Sequence, residues 1–274
     1  LHPGTEEQMI FLSQWYHCSQ NSTQSDCPSP NYYDWSIVGA EVKLTRDESN
    51  WTAEEVPIDS LSIKYRREYI SSYNLMIPGV KPGQKFILHV SHPDYQDVTA
   101  ETIIPDSVSF QEEPRDTLNS DLSELTFSWS NAANTAGYLP VLYFVGETAT
   151  RYAYQQLYSD YNASDNSFTS PEPDKASQIT YVTKDLLDQI RYFRLEHSNH
   201  WGNIENFDTY YLVLRVFSMS PSLYRVQQYG KQPDPISSFN APINIFSNVT
   251  QGGGTFGSYW ITLSKQIAIP KGLF

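Results

Sequence analysis

Apolar side chains recur at every second position through much of this 274-residue chain. In "SIVGAEVKL" they fall at Val38, Ala40, Val42 and Leu44, in "YNLMI" at Tyr73, Leu75 and Ile77, in "KFILHV" at Phe86, Leu88 and Val90, and in "ELTFSWS" at Leu125, Phe127 and Trp129. Successive side chains of a strand point to opposite faces, so each run buries one face and offers the other to solvent. A 3.6-residue helical period would scatter the same positions around the helix. The expected fold class is all-β with few short helices. Tyr, Trp and Phe make up 14% of the chain, and aromatic side chains suit a half-buried pleated surface.

The runs fall into two groups, predicting two β-sandwich-like domains. Pro82-Gly83 marks a tight turn in a meander that ends near "TAETIIPDSV", where Pro105 is a natural exit. Residues 1–105 are expected to form an immunoglobulin- or fibronectin-like sandwich. Residues 106–274 are expected to form a larger β-rich domain with short helices and a glycine-rich closing segment. "TYYLVLRVFSMS", apolar on both faces, reads as a central strand. Ser220 as N-cap, Pro221 at the first helical position and Gly230 as a stop predict a short helix, and "TKDLLDQIRYF" predicts another turn or two. "SDYNASDNSFTSPEPDKAS" reads as a long surface loop.

Formal net charge is −13, and both halves share the acidic excess. No basic stripe is available for phosphate backbones or anionic lipid, which argues against nucleic-acid and membrane-surface partners. No stretch approaches the roughly 18–20 apolar residues of a membrane span. The opening "LHPGTEEQMIFL" lacks the positive n-region of a signal peptide, so the sequence reads as processed, with any lipid anchor upstream of Leu1.

Cys18 and Cys27 stand in "CSQNSTQSDC", a loop short enough to close as a local disulfide clip. The alternative, half of a zinc site, needs two further ligands, and no second cysteine pair follows His17 and Cys18. N-x-S/T triplets at Asn21, Asn50, Asn162 and Asn248 are N-glycosylation candidates in a suitable secretory pathway. A disulfide clip with abundant Tyr and Asn points to an oxidising, non-cytoplasmic location.

Gly252, Gly254 and Gly257 in "TQGGGTFGSYW" have the spacing of a dinucleotide-binding loop. That motif needs a helix after the glycines and an acidic residue about 20 positions on. Here "SYWITLSKQIAI" alternates like a strand, so Gly252, Gly253, Gly254 and Gly257 read as a structural loop with φ > 0 positions or close backbone approach. His89 and His92, like His197 and His200, are three apart, which on strands turns the rings to opposite faces. Asp160, Asn162, Ser164 and Asp165 resemble the start of a calcium loop but lack its glycine and its closing glutamate. Glu54–Glu55 and Glu112–Glu113 are adjacent, so on strands they diverge rather than flank a substrate. No nucleophile elbow, H-E-x-x-H helix or P-loop occurs. The sequence assigns no catalytic, cofactor-binding or metal-binding residue. Strand tyrosines and tryptophans could stack on sugars, but the expected place for most is the core.

In order, "VGAEVKL", "IPGVKPGQKFILHVSHPDYQDVTAETIIP", "SPSLYRVQQY" and "PISSFNAPINIFSNVTQGGGTFGSYW" resemble the Bacteroidota surface-lipoprotein family called domain of unknown function 4249, over most of residues 36–260. The most specific match is the closing segment, with Pro242, Asn248, Gly252 or Gly253, Gly254, Phe256 and Gly257. The resemblance implies a secreted, usually lipid-anchored protein with an N-terminal fibronectin type III or carboxypeptidase-regulatory-like sandwich, often encoded near a TonB-dependent outer-membrane transporter, with no established enzymatic activity. It also lends "DSL", "DSV" and "DTL" the D-[S/T]-apolar pattern of O-glycosylation in that phylum, at Ser60, Ser107 and Thr117. The lipid-bearing cysteine is missing here, and the Cys18–Cys27 loop is a departure from the family.

The functional expectation is a non-enzymatic cell-surface or extracellular binding protein, accessory to an outer-membrane transporter or surface complex, with a protein or glycan partner docking on aromatic loops. The alternatives are a subunit of an extracellular fibre or surface layer, joined by strand addition at exposed edges, and a glycan-active enzyme.

Overall fold

The computed structural model describes residues 7–12, 37–56, 71–111, 115–119, 121–150, 152–196, 207–229, 247–250 and 255–273. Antiparallel sheets dominate, with two α-helices among the described residues, so the fold is all-β. The chain divides into two compact units, Leu1–Ile104 with Arg225–Ser258, and Pro105–Tyr224 with Tyr259–Phe274. The run from Arg225 to Ser258 is thus grouped with the first unit rather than with its neighbours in sequence.

In the first unit, β1 (Glu7–Leu12), β5 (Ser71–Met76) and β4 (Glu54–Val56) form one sheet in the order β1-β5-β4. A second sheet runs β3-β2-β6-β7, built from β3 (Ser49–Thr52), β2 (Glu41–Arg46), β6 (Lys85–His92) and β7 (Tyr95–Ile103). The period-two residues Val42, Leu44, Tyr73, Leu75, Ile77, Phe86, Leu88 and Val90 are all buried. The alternation fails at Val38, which is 57% exposed. Gly39 at φ 79° breaks the extended path there, so the strand begins only at Glu41. The Lys81–Gln84 turn has Pro82 second and Gly83 third, with Gly83 at φ 77° and the Gln84 amide donating to Lys81 O at 3.4 Å. That is type II geometry, which requires φ > 0 at the third position.

In the second unit, β9 (Gly137–Glu147) and β14 (Thr209–Met219) are the long central strands of a five-stranded sheet. β10 (Tyr152–Leu157) flanks β9, while β15 (Tyr259–Leu263) and β16 (Ile267–Ala268) flank β14. One face packs on the antiparallel pair β8 (Glu124–Ser128) and β13 (Gln178–Val182) and on α1 (Thr183–Glu196), through Leu125, Phe127, Trp129, Tyr181, Leu186 and Ile190. From β9 and β14 the residues Tyr138, Leu142, Phe144, Tyr210, Leu212, Leu214 and Val216 enter this core. Burial of that many apolar groups, at about 25 cal/mol per Å² of apolar surface, is the main force holding the layers together.

α1 is longer than the turn or two expected, 14 residues, because Leu186, Leu187 and Ile190 gain a core to pack on. The capped segment after Ser220 forms α2 (Pro221–Tyr229) as expected. The polar stretch read as a loop contains a small hairpin, β11 (Tyr161–Asn162) with β12 (Ser167–Phe168). Pro140 sits inside β9, opposite Val216 of β14. It lies on the β9 side facing away from β14, between the stretch paired with β10 and the Tyr138–Asp174 bridge, so its missing N–H costs no rung.

Candidate functional site

The five-stranded sheet has a second face, and alternation decides what it carries. In "YAYQQL", Ala153 and Leu157 turn toward the core, which sends Tyr152, Tyr154 and Gln156 the other way. On β9 the same face presents Tyr143 and Glu147, and on β14 Tyr211 and Arg215. Tyr152 is 69% exposed and Tyr154 53%. Their rings lie nearly parallel, 18° apart with centroids at 6.1 Å, and Tyr143 meets Tyr154 edge to face at 5.7 Å. The Arg215 guanidinium carbon stands 4.7 Å from the centre of the Tyr143 ring, a cation–π contact. Arg215 Nε is buried with no hydrogen-bond partner among the described residues.

Burial raises the Tyr143 phenol above its ordinary value, with Arg215 working in the opposite direction. Tyr211 is raised by burial, then by the negative charge of Glu147, to which its hydroxyl donates. These phenols therefore stay neutral donors at physiological pH. The face offers flat π surfaces, hydroxyls and a fixed cation.

The closing segment has a different role. Asn248 accepts from Phe256 N at 2.9 Å and donates to Phe256 O at 2.8 Å and Glu101 O at 3.1 Å. Val249 bridges Ala100, and Thr250 N donates to Thr99 O at 2.8 Å. Ser258 Oγ donates to Ile103 O at 2.8 Å. Residues around Gly257 thus line the β7 edge, and β15, a strand, follows where a dinucleotide fold needs a helix. Gly252, Gly253 and Gly254 lie outside the described residues, and the left-handed glycines among the described ones are Gly39, Gly79 and Gly83.

Cys18, Cys27, Asn21 and Ser60 lie outside the described residues, as do His197, His200 and the Glu112–Glu113 pair. Asn50 is exposed on β3. Asn162 is exposed in the β11–β12 turn, where its Oδ1 accepts from Ser164 N at 3.0 Å and Ser164 Oγ at 2.8 Å. Asp165 Oδ1 takes Ser167 N at 3.0 Å, so these oxygens serve their own turn. An N-linked glycan on Asn248 would remove one of the two amide hydrogens it uses. Ser107 and Thr117 are exposed, each followed by a buried core residue, Val108 or Leu118.

His89 and His92 have separate partners. The His89 ring lies 3.9 Å from Asp97, whereas His92 Nε2 meets Val38 O at 3.1 Å and its Nδ1 accepts from Asp94 N at 3.0 Å. Glu54 and Glu55 are neighbours on β4, and Glu55 accepts from Gly39 N at 2.9 Å. Among the described residues no group of three or more His, Cys, Asp or Glu converges on a metal position, and no helix is long and apolar enough to cross a membrane.

Sequence reasoning missed Tyr143, Tyr152, Tyr154 and Arg215. The available signal was the small Ala153 between two tyrosines, which assigns the tyrosines to the face opposite the core. No curated protein matches the chain. The family described as Domain of unknown function (DUF4249) matches residues 1–263, and the chain belongs to that family.

Proposed function

We propose that the chain is a non-enzymatic extracellular or cell-surface binding protein that meets a protein partner through the tyrosine face of its five-stranded sheet. The observation that carries the reading is the exposed Tyr152–Tyr154 pair beside Tyr143 and Arg215. Tyrosine gives large, rigid contact area at little entropic cost, and tyrosine and arginine are enriched among the residues that carry binding energy at protein contact sites. In this reading the first unit is the fibronectin type III or carboxypeptidase-regulatory-like domain of a surface lipoprotein, Cys18 and Cys27 form a clip, and Ser60, Ser107 and Thr117 carry O-glycans. The partner class is an outer-membrane transporter or another surface complex, without nucleic acid and without a cofactor.

The test is photo-crosslinking from position 152 in native envelopes, followed by mass spectrometry, beside the Tyr143→Ser, Arg215→Ser double variant. A discrete crosslinked partner that is lost in the double variant is the expected result. Crosslinks to no protein, or a partner retained at full yield by a folded double variant, would overturn it. The alternative, a fibre or surface-layer subunit, is favoured by one observation, the position of β10 at the sheet's edge.

A further inference from the structure

We infer that β10 is a homotypic edge, along which two copies of this chain pair antiparallel about a two-fold axis passing beside Tyr154. The inference concerns backbone groups and does not depend on what docks on the tyrosine face.

Rung parity follows from the neighbours of β9. Tyr138 N donates to Asp174 O at 2.6 Å and Asp174 N to Tyr138 O at 2.8 Å, so even-numbered residues of β9 direct their amides and carbonyls away from β14. Glu147 O, on the odd parity, accepts from Asp208 N on the β14 side at 2.9 Å. In the β9–β10 register, Leu142, Phe144 and Gly146 oppose Leu157, Gln155 and Ala153, and these are the pairs that exchange bonds. Tyr152, Tyr154 and Gln156 therefore turn their backbone groups outward. The Gln156 carbonyl is met by the Gln155 side-chain amide at the long distance of 3.4 Å.

The open stretch has a defined end. Buried Gln189 of α1 accepts from Tyr158 N at 2.8 Å and donates to Tyr158 O at 2.8 Å, so one carboxamide occupies the next outward rung. Among the described residues, three rungs are left without a partner strand. Pairing Tyr154 with its own copy sets Tyr152 against the copy's Gln156 and uses all three rungs of both strands. The rung held by Gln189 would then lie opposite position 150, before the copy's strand begins at Tyr152, so the clamp and the partner strand do not collide.

Charge favours a second copy over another occupant. The chain carries −13, so identical surfaces repel wherever acids meet, yet "YAYQQL" contains no charged residue. Lysine and proline, the usual protections of a free edge, are also absent from it. An uncharged, self-complementary edge suits a like-charged copy, whereas a basic partner strand would call for acids there. Paired this way, the exposed Tyr154 rings meet across the axis and the two tyrosine faces become one surface.

Sedimentation of the purified full chain from about 1 μM to about 500 μM, with residue-level hydrogen exchange on the same samples, tests the inference. The expected result is a monomer–dimer shift in which the Tyr152, Tyr154 and Gln156 amides gain protection with concentration, while the Tyr158 amide is protected throughout. Tyr154→Lys, which sets like charges across the axis on a solvent-facing position, should raise the dimer dissociation constant by about tenfold or more. Monomer at every concentration would sink the inference. So would filaments, a dimer whose three amides exchange independently of concentration, or a Tyr154→Lys chain that dimerises like the unaltered one.

Discussion

Replacing Asn248 by alanine removes three hydrogen bonds from one side chain, those to Phe256 N, Phe256 O and Glu101 O. Each such bond contributes about 0.5–1.5 kcal/mol net, and a buried group left without its partner costs about 1–3 kcal/mol. The Glu101 bond lies at an exposed position and regains water, whereas the Phe256 pair is partly buried. The expected destabilisation is about 2–3 kcal/mol, or about 5–10 °C in the melting of the unit that contains the segment. Asn248→Asp is the sharper variant because it keeps shape and changes only donor for acceptor. A carboxylate still receives Phe256 N, but it sets a negative oxygen against two carbonyls now 2.8 and 3.1 Å from the amide nitrogen. It should therefore be at least as damaging as alanine at neutral pH. Differential scanning calorimetry of the three proteins decides it, and an Asn248→Asp chain melting within a degree of the parent would refute the clamp.

Tyr181 is almost wholly buried, and burial raises its phenol far above the ordinary value, offset in part by the Leu142 backbone. A group whose folded pKa is raised contributes stability that is complete below the unfolded pKa, about 10, and is lost as pH rises toward the folded value. On this account the chain loses about 1.4 kcal/mol per pH unit above 10, and Tyr181→Phe loses less over the same range, which denaturant unfolding at pH 7 and pH 11 will show. Gly137→Ala should destabilise by about 1–3 kcal/mol, because a Cβ there runs into the Tyr224 ring and lies 2.9 Å from Asp174 O. An alanine variant with unchanged thermal stability would contradict that packing.

Strand placement was legible where burial and alternation coincide. Phe86, Leu88, Val90, Leu125, Phe127 and Trp129 all reach a core as their spacing predicts. The reading failed where one backbone angle overrides the pattern, as at Gly39, or where a tertiary surface extends an element, as α1 does on the sheet. The β11–β12 hairpin has two rungs and no apolar period, so only turn residues mark it. Counting most aromatics into the core was right for Trp129, Tyr138 and Tyr181 but blind to Tyr152 and Tyr154, whose direction depends on which neighbour is small. Nor does local sequence reveal that Asn248 meets Glu101, because the two are 147 residues apart and the bond uses a carbonyl that any residue supplies.

Asn248 and Gln189 share one chemistry. Each gives its side-chain carbonyl to a backbone N–H and its amide to the C=O of the same residue, Phe256 or Tyr158, imitating a rung of an antiparallel ladder. A carboxamide can do this because, like a peptide unit, it holds one acceptor and a donor side by side, and neither Asp nor Ser has both in that spacing. The two clamps manage different edges. On β7, Asn248 works with Val249, Thr250 and Ser258, so the backbone from Thr99 to Ile103 is met along its length. On β10, Gln189 closes a single rung and the strand ahead of it, which contains no charged residue, keeps three outward rungs. Since unpaired strand edges are ordinarily covered, charged or bent, covering β7 from Thr99 to Ile103 while stopping β10 at a fixed point is the arrangement that the inferred pairing along β10 requires.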